Sequence, residues 1–212
     1  MGLAAMSSSV PRRWLGEVRQ GDDGHLGALL ELYRNYLSLL ADSHLDPKLR
    51  ARVSPSDLVQ ETMLEAHRDI RQFRGESELE FLGWLRQILV NNLAQVVEKH
   101  VLAVKRDVRR EVSLEGLRTA VEQSTIHLGQ VLAGREEPPH AEMERRERAV
   151  ILADLLTSLP PHYREVLMMR NLQGLRFDEV ARKLNRTVPA TKMLWMRAIK
   201  QLRQAYDNRF LQ

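Results

Sequence analysis

Apolar residues recur at spacings of three and four along most of the chain, the pattern of helices that bury one face. Leu26, Leu29, Leu30, Tyr33, Leu37 and Leu40 set it within residues 14–40, where Gly21, Asp22, Asp23 and Gly24 interrupt one helix and start another. Asp46-Pro47 marks a turn. Ser54-Pro55-Ser56-Asp57 then predicts a helix start. Ser54 is placed to cap free N–H groups, Pro55 suits a first turn, and Asp57 stands where a capping-box acid stands. This helix is predicted over 55–70, with Leu58, Thr62 and Ala66 inward and Asp57, Gln60, Glu61, Glu65 and Arg68 outward. Residues 73–77 break the pattern. A further helix follows from about residue 78 through Phe81, Trp84, Leu85, Ile88, Leu89 and Leu93.

Between 105 and 144 the periodicity weakens, and Gly116, Gly129, Gly134, Pro138 and Pro139 punctuate the segment. It reads mainly as a linker with room for a short helix. Helical spacing returns over 142–156, and Leu159-Pro160-Pro161 closes that helix and opens one over 161–171. Phe177, Val180, Ala181 and Leu184 then predict a short amphipathic helix. Asn185-Arg186 make a tight connection, Thr187 caps the next helix, and Val188, Thr191, Trp195, Ala198 and Leu202 form its buried stripe. Two short helices joined by a tight turn are the layout of a helix-turn-helix. Lys192, Arg197 and Lys200 lie off the buried stripe, and Arg182, Lys183 and Arg186 flank the same end, placed for phosphates. A helical hairpin of unrelated role would share the spacing.

The predicted fold class is therefore all-α: two small helical domains joined by a flexible linker, the C-terminal one a helix-turn-helix. The expected layout is a disordered tail over 1–11, a first domain over 12–104, an acidic linker over 105–144 and a second domain over 145–212. Charge sharpens this picture. Residues 145–212 carry 14 Lys and Arg against 6 Asp and Glu, whereas residues 111–144 carry 2 against 7. A basic module behind an acidic tether suits a polyanionic partner. The chain has no cysteine, which removes disulfides, thiolate metal sites and cysteine nucleophiles and accords with a cytoplasmic setting. No GxxxxGK[ST] or HExxH motif occurs, and no Ser/His/Asp set is suggested by motif context. The expectation is a non-enzyme with no cofactor, no metal and no membrane span.

Residues 159–204 resemble the C-terminal DNA-binding domain of bacterial sigma factors, in which Leu159-Pro160, Arg164-Glu165-Val166, Gly174-Leu175, Glu179-Val180-Ala181 and Lys192 follow the family's order and spacing. Residues 15–110 resemble the family's core-polymerase-binding and promoter-melting domain, most specifically at Asp57-Leu58-Val59-Gln60-Glu61-Thr62, Phe73-Arg74-Gly75 and Trp84-Leu85. With no room for a third domain, the two-domain extracytoplasmic function (ECF) class is the nearest match. The resemblance implies several roles. Asp57, Gln60, Glu61 and Glu65 would meet the clamp helices of the polymerase beta-prime subunit. Phe73, Arg74, Arg86 and one of Asn91 and Asn92 would meet the downstream, melted promoter element. Arg182, Lys183, Arg186, Lys192, Arg197 and Lys200 would meet the upstream element, and the same domain would touch the beta flap. Core RNA polymerase and promoter DNA are thus the implied partners, with room for an anti-sigma factor.

Two departures stand out. Met193-Leu194 replace a Ser-Arg pair common after the lysine; they cannot hydrogen-bond base edges, although they can touch thymine methyl groups, which leaves Lys192 and Arg197 as the readers. Two residues are added between Gly75 and Trp84, lengthening the loop. A helix-turn-helix regulator acting without polymerase, and an adaptor whose basic domain binds protein, remain open on the residues alone.

Overall fold

The computed structural model describes residues 3–46, 48–103, 114–132 and 142–210. Among them there are helices and turns and no strand. The chain divides into two compact units, Met1–Val121 and Glu122–Gln212.

In the first unit, α1 (Leu3–Arg19) begins inside the stretch whose composition predicts a disordered tail. Helix propagation from the buried Leu15 and Val18 turn explains the extension, because each added residue costs less than a new nucleus. Gly21 takes a φ of 91° at the break, and the Asp22 carboxylate accepts the Gly24 N–H at 3.0 Å. α2 (Leu26–Glu31), α3 (Arg34–His44) and the turn between them supply Leu29, Tyr33, Tyr36, Leu37 and Leu40 to the core. α4 (Pro55–Asp69) starts with the expected reciprocal cap: the Asp57 N–H donates to Ser54 Oγ at 3.1 Å, and the Ser54 N–H donates to Asp57 Oδ2 at 3.2 Å. Its Leu58, Thr62 and Ala66 are buried as the pattern requires, joined by Val59. α5 (Glu78–Ala103) packs on α3 and α4. It is buried on several sides, through Phe81, Leu82, Leu85, Ile88, Leu89, Val90 and Leu93, and serves as the central helix of the unit.

The acidic linker contains α6 (Leu114–Gln130), a helix of 17 residues. Ser124, Thr125 and Leu128 on it are buried, and the Ser124 hydroxyl donates to the Leu172 carbonyl at 2.7 Å. That part of the segment is helical, with residues 122–130 of it assigned to the second unit. The remaining linker positions, 105–113 and 133–141, lie outside the described residues.

In the second unit, α7 (Glu142–Ser158) leads through Leu159-Pro160 to α8 (Pro161–Leu167) and a π-helical turn at Met168–Leu172. The Arg164 guanidinium donates to the carbonyls of Leu156 (3.1 Å) and Thr157 (2.7 Å), occupying acceptors left open at the end of α7. α9 (Phe177–Lys183) and α10 (Val188–Phe210) follow, and α10 packs on α7, α8 and α9. The second helix of the pair is not short: it runs for 23 residues, because Ala198 and Leu202 extend its buried stripe into the core.

Candidate nucleic-acid interface

The turn between α9 and α10 is closed by backbone geometry. The Arg186 N–H donates to the Ala181 carbonyl at 2.9 Å and the Asn185 N–H to the Arg182 carbonyl at 3.3 Å. This is a Schellman ending, and it needs a left-handed residue, which Asn185 supplies with a φ of 51°. Thr187 then caps α10, its Oγ1 accepting the Ala190 N–H at 3.3 Å. Trp195 Nε1 donates to Asn171 Oδ1 at 3.0 Å, and its ring meets the edge of Phe177 at 5.6 Å. These contacts fix α10 about its own axis.

Arg182, Lys183, Arg186, Lys192, Arg197 and Lys200 are all exposed around this module. Two are partly engaged: Arg182 pairs with Asp178 at 3.7 Å, and the Lys192 ammonium sits 5.8 Å from the centre of the Phe177 ring. Sequence reasoning missed Arg170, whose guanidinium lies 5.1 Å over the same ring. The sequence marks residues 193–196 as an apolar run able to pack on a partner surface, and of that run Met193 and Met196 are the exposed members. The signal for Met196 was present: an apolar residue off the buried stripe.

In the first unit, residues 73–77 form a loop held at several points. The Phe73 ring packs against Phe81 (5.4 Å) and Trp84 (5.3 Å). Glu80 Oε2 accepts the N–H groups of Glu76 and Ser77, each at 2.9 Å, and the Ser77 hydroxyl at 2.8 Å. The Glu76 N–H, together with the Ser77 hydroxyl and N–H, holds the Glu80 carboxyl below its ordinary range. Arg19 reaches Glu76 at 3.4 Å. Beside the loop, Arg19, Gly21, Ile70, Phe73 and Arg74 line an open cleft of about 420 Å³.

Asn91 is half-buried and accepts the Gln87 side-chain N–H at 2.8 Å. Asn92 is 6% exposed and donates to Thr62 Oγ1 at 3.3 Å, so of the pair it is the inward one and is withdrawn as a DNA contact. Arg86 is withdrawn as well. It is 8% exposed, and its guanidinium donates to the Tyr36 hydroxyl at 3.4 Å. α5 is covered at that position, so the long stem lies in the core and its head finds a phenol in place of a phosphate.

The outward face of α4 presents Asp57, Gln60 and Glu61 exposed and Glu65 half-buried. The Asp57 carboxylate also serves the cap. Leu64, 67% exposed, sits among these polar residues, and with Met63 and Leu30 it borders an open depression of about 470 Å³. A leucine on the polar side of an amphipathic helix was the available signal for it.

Among the described residues, no helix is long and apolar enough to cross a membrane, and no group of three His, Asp or Glu side chains is arranged to hold a metal ion.

Comparison with known proteins places both units in one family. Residues 28–100 match the family model for sigma-70 region 2, and residues 149–202 match that for sigma-70, region 4. The chain is 30% identical over 166 residues to the ECF RNA polymerase sigma-E factor of Haemophilus influenzae, covering 77% of this chain and 78% of that protein. It is 26% identical over 196 residues to the sigma-E factors of Salmonella typhimurium and Escherichia coli, covering 91% of this chain and 90% of each of those. Region 4 is the helix-turn-helix unit and region 2 carries the loop and the α4 face: the chain belongs to the sigma-70 family as an RNA polymerase sigma factor of the ECF class.

Proposed function

We propose that the chain holds core RNA polymerase on two promoter elements and helps to open the downstream one. It makes and breaks no covalent bond itself; the chemistry belongs to the polymerase. The α4 face docks on the beta-prime clamp helices through Gln60, Glu61 and Leu64, with Asp57 and Glu65 at its edges. The α9–α10 module lies in the major groove of the upstream element, with Arg182, Lys183, Arg186, Lys192, Arg197 and Lys200 meeting phosphates or bases, and it touches the beta flap. Phe73, Arg74 and Asn91 receive the downstream strand as it opens.

The observation that carries the opening role is the fastened loop over 73–77 beside its cleft of about 420 Å³. A base leaving the stack needs an aromatic or apolar wall that is already in place. The test is reconstitution with core polymerase on a promoter pool, followed by start-site mapping. Defined starts absent with core alone are expected; a pattern equal to core alone would sink the reading. Docking is checked in the same assay with Glu61→Lys, which spares the α4 cap that Asp57 serves. It should weaken core binding about tenfold, in line with a like-charge clash at an interface. Undiminished core binding would remove α4 as the docking face.

A further inference from the structure

The solvent face of α10 is not built as a row of hydrogen-bond donors. At about 100° per residue, Pro189, Met193, Met196 and Lys200 fall in one narrow stripe on the side away from the buried Thr191, Ala198 and Leu202. Met193 is 47% exposed and Met196 50%. Lys192 and Arg197 lie on the two flanks of the stripe. The Trp195–Asn171 bond and the Thr187 cap fix the rotation of the helix, so centre and flanks do not exchange. At the centre of the solvent face in the amino-terminal half of α10, the part that a helix-turn-helix sets in a groove, stands a pair of thioethers.

Exposed methionines at adjacent turns mark a contact surface, since flexible apolar side chains adapt to the groups that cover them. Charge indicates what covers these. On α10 they lie between exposed Lys192 and Arg197, with Lys200 one turn beyond Met196 on the same stripe, and Arg182, Lys183 and Arg186 are exposed on α9 and the turn that leads into α10. An apolar strip between flanking cations complements a major groove that shows methyl groups on its floor and phosphates on its walls. Among the unmodified bases, only thymine offers a methyl there.

We propose that Met193 and Met196 are specificity-determining residues that read thymine C5-methyl groups in the upstream promoter element, while Lys192 and Arg197 hold the flanking backbone or base edges. This deepens, and rests on, the reading of α9–α10 as the upstream-element module. It also moves the centre of base reading away from the positions that charge alone points to.

Holoenzyme assembled from the full chain and core polymerase is assayed on a promoter selected from the pool, with deoxyuridine replacing thymidine one position at a time across the upstream element. Uracil keeps every hydrogen-bonding group and lacks only the methyl. Open-complex formation by the wild type should fall about fourfold at each position read, the worth of one buried methyl-sized group. Met193→Ala and Met196→Ala should each abolish the difference at one position, and Met193→Leu and Met196→Leu should preserve it. Equal activity on thymine and uracil at every position overturns the inference while leaving the upstream-element reading intact. Alanine variants that weaken initiation equally on both templates also overturn it, and assign the methionines to a protein surface. Indifference of the wild type to replacement of the whole upstream element sinks the underlying reading instead.

Discussion

Each unit keeps a small group of aromatic rings close to the residues proposed to meet DNA, and the two groups are built differently. In the first unit, Phe73, Phe81, Trp84 and Tyr33 touch ring to ring, with Phe81 and Tyr33 fully buried. The group is continuous with the core through the buried Phe81 and Tyr33. In the second unit, Phe177 and Trp195 are only half-buried, with Arg170 and Lys192 over the Phe177 ring and Asn171 on the indole N–H. In the proposed function the first group meets a base out of its stack, for which an aromatic surface suffices. The second orients α10 and the cations that the proposed function sets against an intact duplex. One cluster is core that reaches the surface, and the other is surface kept rigid.

The contrast can be broken most directly at its buried member. Phe81→Ala should cost about 3–5 kcal/mol in chemical denaturation, and Phe177→Ala well under half of that, because a half-buried ring loses less on truncation. Equal losses would erase the distinction. Acid should bear on the first unit through His44 in α3. Burial pushes this imidazole down to about 4 from the ordinary 6.5. The unfolded chain therefore takes up a proton that the folded unit refuses, and stability present above pH 6.5 is lost as pH falls toward 4. The loss should be on the order of 3 kcal/mol, read from denaturation midpoints across that range, and His44→Gln should flatten it.

Gly75→Ala probes the wall without removing a ring. Its Cβ would lie 2.8 Å from Glu80 Cβ and closer still to the Phe73 ring, so Phe73 must swing away. Open complexes should fall about tenfold at constant core binding, within the range that one base-stacking contact supplies. The smallest effect is expected from Trp195→Phe, which keeps most of the ring and loses the bond to Asn171. A cost of about 1 kcal/mol, with weaker binding to the upstream element, would support the orienting role. Unchanged binding would reduce that bond to packing.

What could be read from the residues alone divides along physical lines. The cap at Ser54, the two faces of α4 and the Thr187 start of α10 are local devices, written in adjacent residue types, and all are present in the fold. α6 was hidden because its inward positions, Leu117, Val121, Ser124, Thr125 and Leu128, include two hydroxyl residues, and a burial stripe with polar members does not register as apolar periodicity. Arg86 and Asn92 were misplaced for a related reason. A cation and an amide read as surface groups until Tyr36 and Thr62, distant in sequence, are found to receive their hydrogen bonds. Met196 was visible as a residue but silent as a reader, because expectation followed charge. The family and the existence of the helix-turn-helix were legible. Which side chains occupy the centre of its outer face depended on the rotation of α10, and that is set by a contact 24 residues away, from Trp195 to Asn171.

The hold of Glu80 on residues 76 and 77 has a kinetic meaning. With the loop fastened to the first turn of α5 during folding, the entropy of ordering it is lost before any promoter arrives, and under the proposed role it adds nothing to the barrier for strand separation. The height of that barrier then belongs to the duplex. Initiation rates on a series of promoters should track the stacking strength of the base step that opens, and the activation enthalpy should be that of unstacking DNA.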